Sequence, residues 1–69
     1  MEKRRITLKA ARVNVGLTQK EVADRIGVSE TTIFNWENGK NKMPLEGLVK
    51  LANLYDMSID DFLLPSKSI

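Results

Sequence analysis

The sequence predicts an all-α fold of five short helices, and three observations carry that prediction. Residues that cap helix N-termini (Thr7, Thr18, Ser29 and Ser58) recur along the chain, each just ahead of an apolar stripe. Within the stripes the apolar residues are spaced by three or four positions, as one face of a helix requires. No segment alternates apolar and polar residues as a half-buried strand does.

The elements follow in order. Thr7 precedes Leu8, Ala11 and Val15, a stripe that ends at Gly16. "TQKE", Thr18 to Glu21, is a capping box: the threonine oxygen accepts from a backbone N–H three residues on, and the glutamate reaches back. The helix it opens puts Val22, Ala23 and Ile26 on one face, and Gly27 supplies a left-handed stop. Ser29 caps a third helix, with Ile33 and Trp36 facing inward and Gly39 ending it. Pro44 introduces "LEGLVKLANLYD", where Leu45, Leu48, Leu51, Ala52 and Tyr55 form a broad apolar face. Gly47 within it costs about 1 kcal/mol relative to alanine, tolerable early in a helix. Ser58 and Asp61 cap a fifth helix carrying Ile59, Phe62 and Leu63 before Pro65 blocks it, and residues 64–69 form a tail.

Size and composition exclude several function classes. A chain of 69 residues makes one domain, 1–69, with no room for a second lobe. At this size only about 60% of the unfolded surface is buried, so stability is thin. Cysteine and histidine are both absent, which removes disulfides, thiolate metal sites, the commonest metal ligand and the commonest general base. No phosphate-cradling glycine loop is visible, and Asp60 and Asp61 are sequential and do not face each other across a site. An enzyme is therefore not expected, nor is a cofactor, a metal or a small-molecule effector. Apolar runs stop at three or four residues, against the roughly 20 of a membrane span, and no targeting segment is visible. The expected location is cytoplasmic.

Charge is uneven. Residues 1–20 hold Lys3, Arg4, Arg5, Lys9, Arg12 and Lys20 against Glu2, a net +5, whereas residues 51–69 hold Asp56, Asp60 and Asp61 against Lys67, a net −2. One basic face and one neutral or acidic face follow.

Helices two and three are joined by only "GVS", too short to lay them antiparallel but suited to the crossed arrangement of a helix-turn-helix. That geometry needs a small residue where the helices approach, and Ala23 is there. It needs a residue tolerant of positive φ at the turn, and Gly27 is there. Val22, Ile26, Val28, Ile33 and Trp36 supply apolar anchors. On "LKAAR", "GLTQKEVADRIGVSETTIFNWENG", Pro44, "LVKLA" and "SIDDFL", the chain resembles the Cro-type helix-turn-helix family of phage and bacterial repressors. The resemblance spans about residues 8–63, with the motif at 19–38. It implies a compact five-helix, lambda-repressor-like DNA-binding domain, usually working as a two-fold dimer.

The same resemblance places the second helix of the motif in the major groove of double-stranded DNA. With Ile33 and Trp36 inward, Glu30, Thr31, Phe34, Asn35 and Asn38 face outward. Asn35 suits adenine through paired donor and acceptor, and Thr31 a thymine methyl or a base acceptor. Glu30 is open to two uses, accepting from cytosine N4 or complementing the positive helix N-terminus. Phe34 is read as packing against its neighbour in preference to a thymine methyl or sugar contact. Gln19, Ser29, Thr32, Asn38, Lys40 and Lys42 are the expected DNA-backbone contacts, with a structural use equally open for Thr32. Arg12 and Glu37 match positions that form a buried ion pair in several phage repressors.

The function expected is a sequence-specific transcriptional regulator, a repressor binding its operator as a homodimer through Phe62, Leu63, Leu64 and Ile69. The competing reading is a protein-interaction module, an antitoxin or coactivator, using the same helices.

Overall fold

The computed structural model describes residues 5–65. Four α-helices, Leu8–Asn14 (α1), Gln19–Ile26 (α2), Glu30–Glu37 (α3) and Leu45–Leu54 (α4), precede one 3₁₀ turn, Ile59–Asp61. The expected all-helical architecture is present. Each expected cap is made. The Thr7 hydroxyl accepts from the Ala10 N–H at 3.1 Å. The Thr18 box is reciprocal, with Glu21 N–H to Thr18 Oγ1 at 3.0 Å and Thr18 N–H to Glu21 Oε1 at 2.8 Å.

The fifth helix shrinks to a single 3₁₀ turn, for a local and a non-local reason. Ser58 and Asp61 do form their box, but Phe62 already has extended dihedrals, φ −93° and ψ 137°. There the chain pairs with its own beginning. Ile6 and Phe62 form a parallel bridge, in which Ile6 N–H donates to Asp61 O at 3.0 Å and Leu63 N–H to Ile6 O at 2.8 Å. With the Leu63 N–H committed to Ile6, and Pro65 lacking an N–H and disfavouring helical backbone before it, a longer helix is blocked.

The core gathers one face of every helix. Leu8, Val22, Ile33 and Leu51 are essentially sealed, with Ala11, Ala23, Trp36 and Leu48 around them. Three apolar residues depart from the expected pattern. Val15 is exposed because α1 ends at Asn14, so residue 15 falls off the stripe, and Arg12 takes the buried position one turn back. Leu45 is the first residue of α4 and is 69% exposed, whereas Gly47 and Leu48 later in the same turn are buried. Phe62, expected on a dimer surface, is instead buried, its ring edge-on to Tyr55 with centroids 6.3 Å apart. Leu63 and Leu64 do remain exposed, and Ile69 lies outside the described residues.

Gly47 explains how α4 closes over α3. A Cβ built there would lie 2.7 Å from Trp36 Cη2, 3.1 Å from Cζ3 and 3.3 Å from Cζ2. The backbone of α4 thus rests directly on a buried indole, and the helix-propensity penalty of glycine is secondary. Gly47→Ala is expected to destabilise the domain by up to about 2 kcal/mol, because overpacking against a rigid indole costs about 1–3 kcal/mol and the propensity gain returns only about 1. Urea unfolding checks this, and a stabilised variant would contradict it.

Candidate nucleic-acid interface

The α2–α3 elbow is built from residues 27–29. Gly27 adopts φ +80°, where a Cβ is strained, and its N–H and that of Val28 both donate to Ala23 O, at 2.9 and 3.0 Å. Two donors on one carbonyl end α2 sharply. Val28 packs on the core, and Ser29 then restarts the chain as α3, its hydroxyl accepting from Thr32 N–H at 3.1 Å.

One edge of α3 is sealed and the other is bare. Ile33 and Trp36 face the core at 1% and 7% exposure, whereas Glu30, Thr31, Phe34 and Asn38 are exposed and Asn35 and Thr32 half-buried. Among the described residues no hydrogen bond or ion pair engages the side chains of Glu30, Thr31 or Asn35. Several of the other candidate side chains are already bonded within the molecule. Ser29 Oγ and Thr32 Oγ1 lie 2.8 Å apart. Asn38 Nδ2 donates to Phe34 O at 2.8 Å. Lys40 and Lys42 are exposed in the segment after α3, the Lys40 backbone N–H donating to Asn35 O at 2.9 Å. Gln19 and Glu30 share the wall of one open concavity between the α1–α2 turn and the start of α3. Lys42 stands apart, over a hollow lined by Trp36, Met43 and Leu64.

Beneath this surface runs a buried ionic network. Arg12 Nε donates to Glu37 Oε2 at 2.7 Å and Nη2 to Glu37 Oε1 at 3.2 Å, with the two side chains 10% and 4% exposed. Arg12 Nη1 reaches Leu17 O at 2.9 Å, and Gln19 Nε2 donates to Glu37 Oε1 at 3.0 Å. The hydrogen bond to Glu37 outweighs burial and holds the Arg12 pKa above its ordinary value. Gln19, which the family resemblance also implies as a brace for the reading helix, bonds the last residue of α3. Its partner lies eighteen positions away, and only the crossing of the helices brings the two together. Phe34, expected on the outward side, is 45% exposed, so part of its ring is open to solvent.

Tyr55 lies close to this network. Its hydroxyl is buried without a hydrogen-bond partner among the described residues. Burial, reinforced by Glu37 and partly offset by Arg12, pushes the phenol up to about 12.

A tight elbow joining two helices, the second packed along one edge and bare along the other, defines a helix-turn-helix domain. Residues 8–62 match the helix-turn-helix family, and the chain belongs to it, in its Cro-type branch. Over 53 residues the chain is 38% identical to the HTH-type transcriptional regulator ImmR of Bacillus subtilis, a match covering 77% of this chain and 42% of that protein. The cryptic phage CTXphi transcriptional repressor RstR of Vibrio cholerae is 38% identical over 47 residues, 68% of this chain and 42% of RstR. An uncharacterized HTH-type transcriptional regulator of Archaeoglobus fulgidus is 33% identical over 60 residues, covering 87% and 84%. The chain spans about two fifths of the length of ImmR and RstR. No helix among the described residues is long and apolar enough to cross a membrane.

Two outcomes test the network. Arg12→Met strands a buried carboxylate and is expected to cost about 3–5 kcal/mol in denaturant unfolding, while the double variant Arg12→Met/Glu37→Met recovers most of that loss. Equal losses in both variants would show that the pair matters through packing alone. For Tyr55, folding favours the neutral phenol. That contribution is complete below the ordinary pKa of 10.0 and is lost as pH rises from there through about 12. Tyr55 is the chain's single tyrosine, so its tyrosinate absorbance is unambiguous and is expected to titrate near 12 in the folded protein. Tyr55→Phe removes the corresponding part of the alkaline stability loss.

Proposed function

We propose that this chain is a sequence-specific, double-stranded DNA-binding transcriptional regulator that represses by occupying an operator as a homodimer. The observation carrying this reading is the bare polar edge of α3, opposite the sealed Ile33 and Trp36. Major-groove readout needs side chains that can exchange water for base edges, and among the described residues the side chains of Glu30, Thr31 and Asn35 hold no hydrogen bond or ion pair to break first. Similarity to ImmR, a transcriptional regulator, and to RstR, a transcriptional repressor, supports the same class.

Roles follow from chemistry. Asn35 pairs with adenine, Thr31 meets a thymine methyl or a base acceptor, and Glu30 accepts from cytosine N4. Lys40 and Lys42 meet phosphates as point charges. Gln19 has one amide N–H on Glu37 and a second for a phosphate oxygen, so its place on the backbone is set by the network beneath. Ser29, Thr32 and Asn38 serve the backbone from positions fixed by their own capping bonds. The exposed Leu63 and Leu64 offer apolar area for the homodimer, and the setting is the cytoplasm of a bacterial or phage-infected cell.

A duplex selected from a random pool provides the test. With about 6–10 phosphate contacts per dimer, affinity is expected to fall about 10³–10⁵-fold between 50 and 200 mM salt. Half-sites are expected about 34–36 Å apart, with a dimeric mass on the operator. Asn35→Ala relaxes base preference, whereas Lys42→Ala weakens all duplexes about equally. Tight binding to a partner protein with no steep salt loss on any duplex would favour an antitoxin or coactivator instead.

A further inference from the structure

Phe34 is the one side chain on the exposed edge of α3 whose chemistry the assigned roles leave unused. It is 45% exposed and is not among the apolar side chains packed against the core. Among the described residues no aromatic ring stacks on it; the ring pair found is Tyr55 with Phe62. Its position is fixed by helix geometry. Phe34 follows Thr31 by three residues and Glu30 by four, so these three share one edge, with Asn35 next in line.

The segment presenting the ring is also held firmly. The Phe34 carbonyl accepts from both the Asn38 backbone N–H at 3.1 Å and Asn38 Nδ2 at 2.8 Å. One residue before Asn38, Glu37 is locked to Arg12. An apolar ring on this restrained helix edge, between a threonine and an amide, has one projecting apolar match among the base edges of a major groove. That match is the 5-methyl group of thymine, which phenylalanine contacts through its apolar surface.

We propose that Phe34 is a specificity-determining residue that recognises a thymine 5-methyl group in each operator half-site. The inference rests on the proposed DNA-binding function and refines it. It makes the α3 edge a mixed reader: Asn35 senses adenine by hydrogen bonds, and Phe34 senses thymine by methyl burial. Sequences with cytosine at that pair are then discriminated against even where hydrogen bonding is tolerated.

Replacing thymine by deoxyuracil removes the methyl and leaves every hydrogen-bonding group in place. Each thymine of the selected duplex is replaced singly and bound to the unsubstituted protein, to Phe34→Ala and to Phe34→Leu. One thymine per half-site is expected to show about fourfold weaker binding on methyl removal with the unsubstituted protein. Phe34→Leu keeps part of that sensitivity and Phe34→Ala loses it, while circular dichroism verifies that both variants fold, the ring lying outside the cluster of buried residues. Methyl effects identical in all three proteins overturn the proposal. So does a Phe34→Ala protein that changes its mass in solution without changing base preference, since the ring would then be covered by a second copy. Specific binding with no residue-34 dependence removes this assignment alone, whereas failure to enrich any duplex removes the DNA-binding reading with it.

Discussion

The buried pair Arg12–Glu37 is the constraint on which the rest of this domain depends. It joins three regions that have no covalent reason to stay together: the end of α1, the turn at Leu17 and the last residue of α3. The elbow at Gly27 fixes where α3 begins, and Glu37 fixes where it ends. A helix pinned at both ends has its bare edge set in direction, which propensity alone could not achieve over eight residues. Such pairs contribute little net stability, because desolvation offsets attraction. Their effect is to penalise every arrangement that parts the charges, and here those are the arrangements that would rotate α3.

Packing supplies the second restraint on the same helix. Trp36 is wedged beneath α4, and the missing side chain at Gly47 sets how closely the two helices approach. The tryptophan, the chain's single one, is therefore spent on orientation. Tyr55 brings α4 up to the ionic network from the other side, with its buried hydroxyl as the polar consequence of that closeness. The interface side of α3 can remain polar because its inner side is over-determined.

How much of this was legible in the sequence depends on how local the cause was. The caps at Thr7, Thr18, Ser29 and Ser58 and the elbow at Gly27 involve residues within four positions of each other, and all are made as read. The outer edge of α3 followed directly once Ile33 and Trp36 were turned inward. Val15, Leu45 and Phe62 were misplaced because their burial is decided elsewhere: by where α1 stops, by where α4 starts, and by a bridge to Ile6 fifty-six residues away. Periodicity names a face of a helix but not the point at which that face runs out of neighbours. Gly47 shows the same limit from the other side, since its reason is an indole eleven positions back.

The distribution of intramolecular hydrogen bonds adds something that residue type could not. Serine, threonine and asparagine occur throughout the elbow and α3, and by composition any of them could meet DNA. In the folded chain they separate. Ser29, Thr32 and Asn38 satisfy helix ends or each other, so a phosphate must share or displace an existing bond. Among the described residues the side chains of Thr31 and Asn35 hold none, so a base edge that met them would break no bond within the fold. In the proposed interface, the residues assigned to bases are therefore those the fold itself does not use, and those assigned to the DNA backbone include ones it has already immobilised. Capping α3 and leaving its middle unsatisfied are complementary outcomes of one short sequence: a longer helix would need fewer caps per residue, and a more apolar one would have no edge to offer.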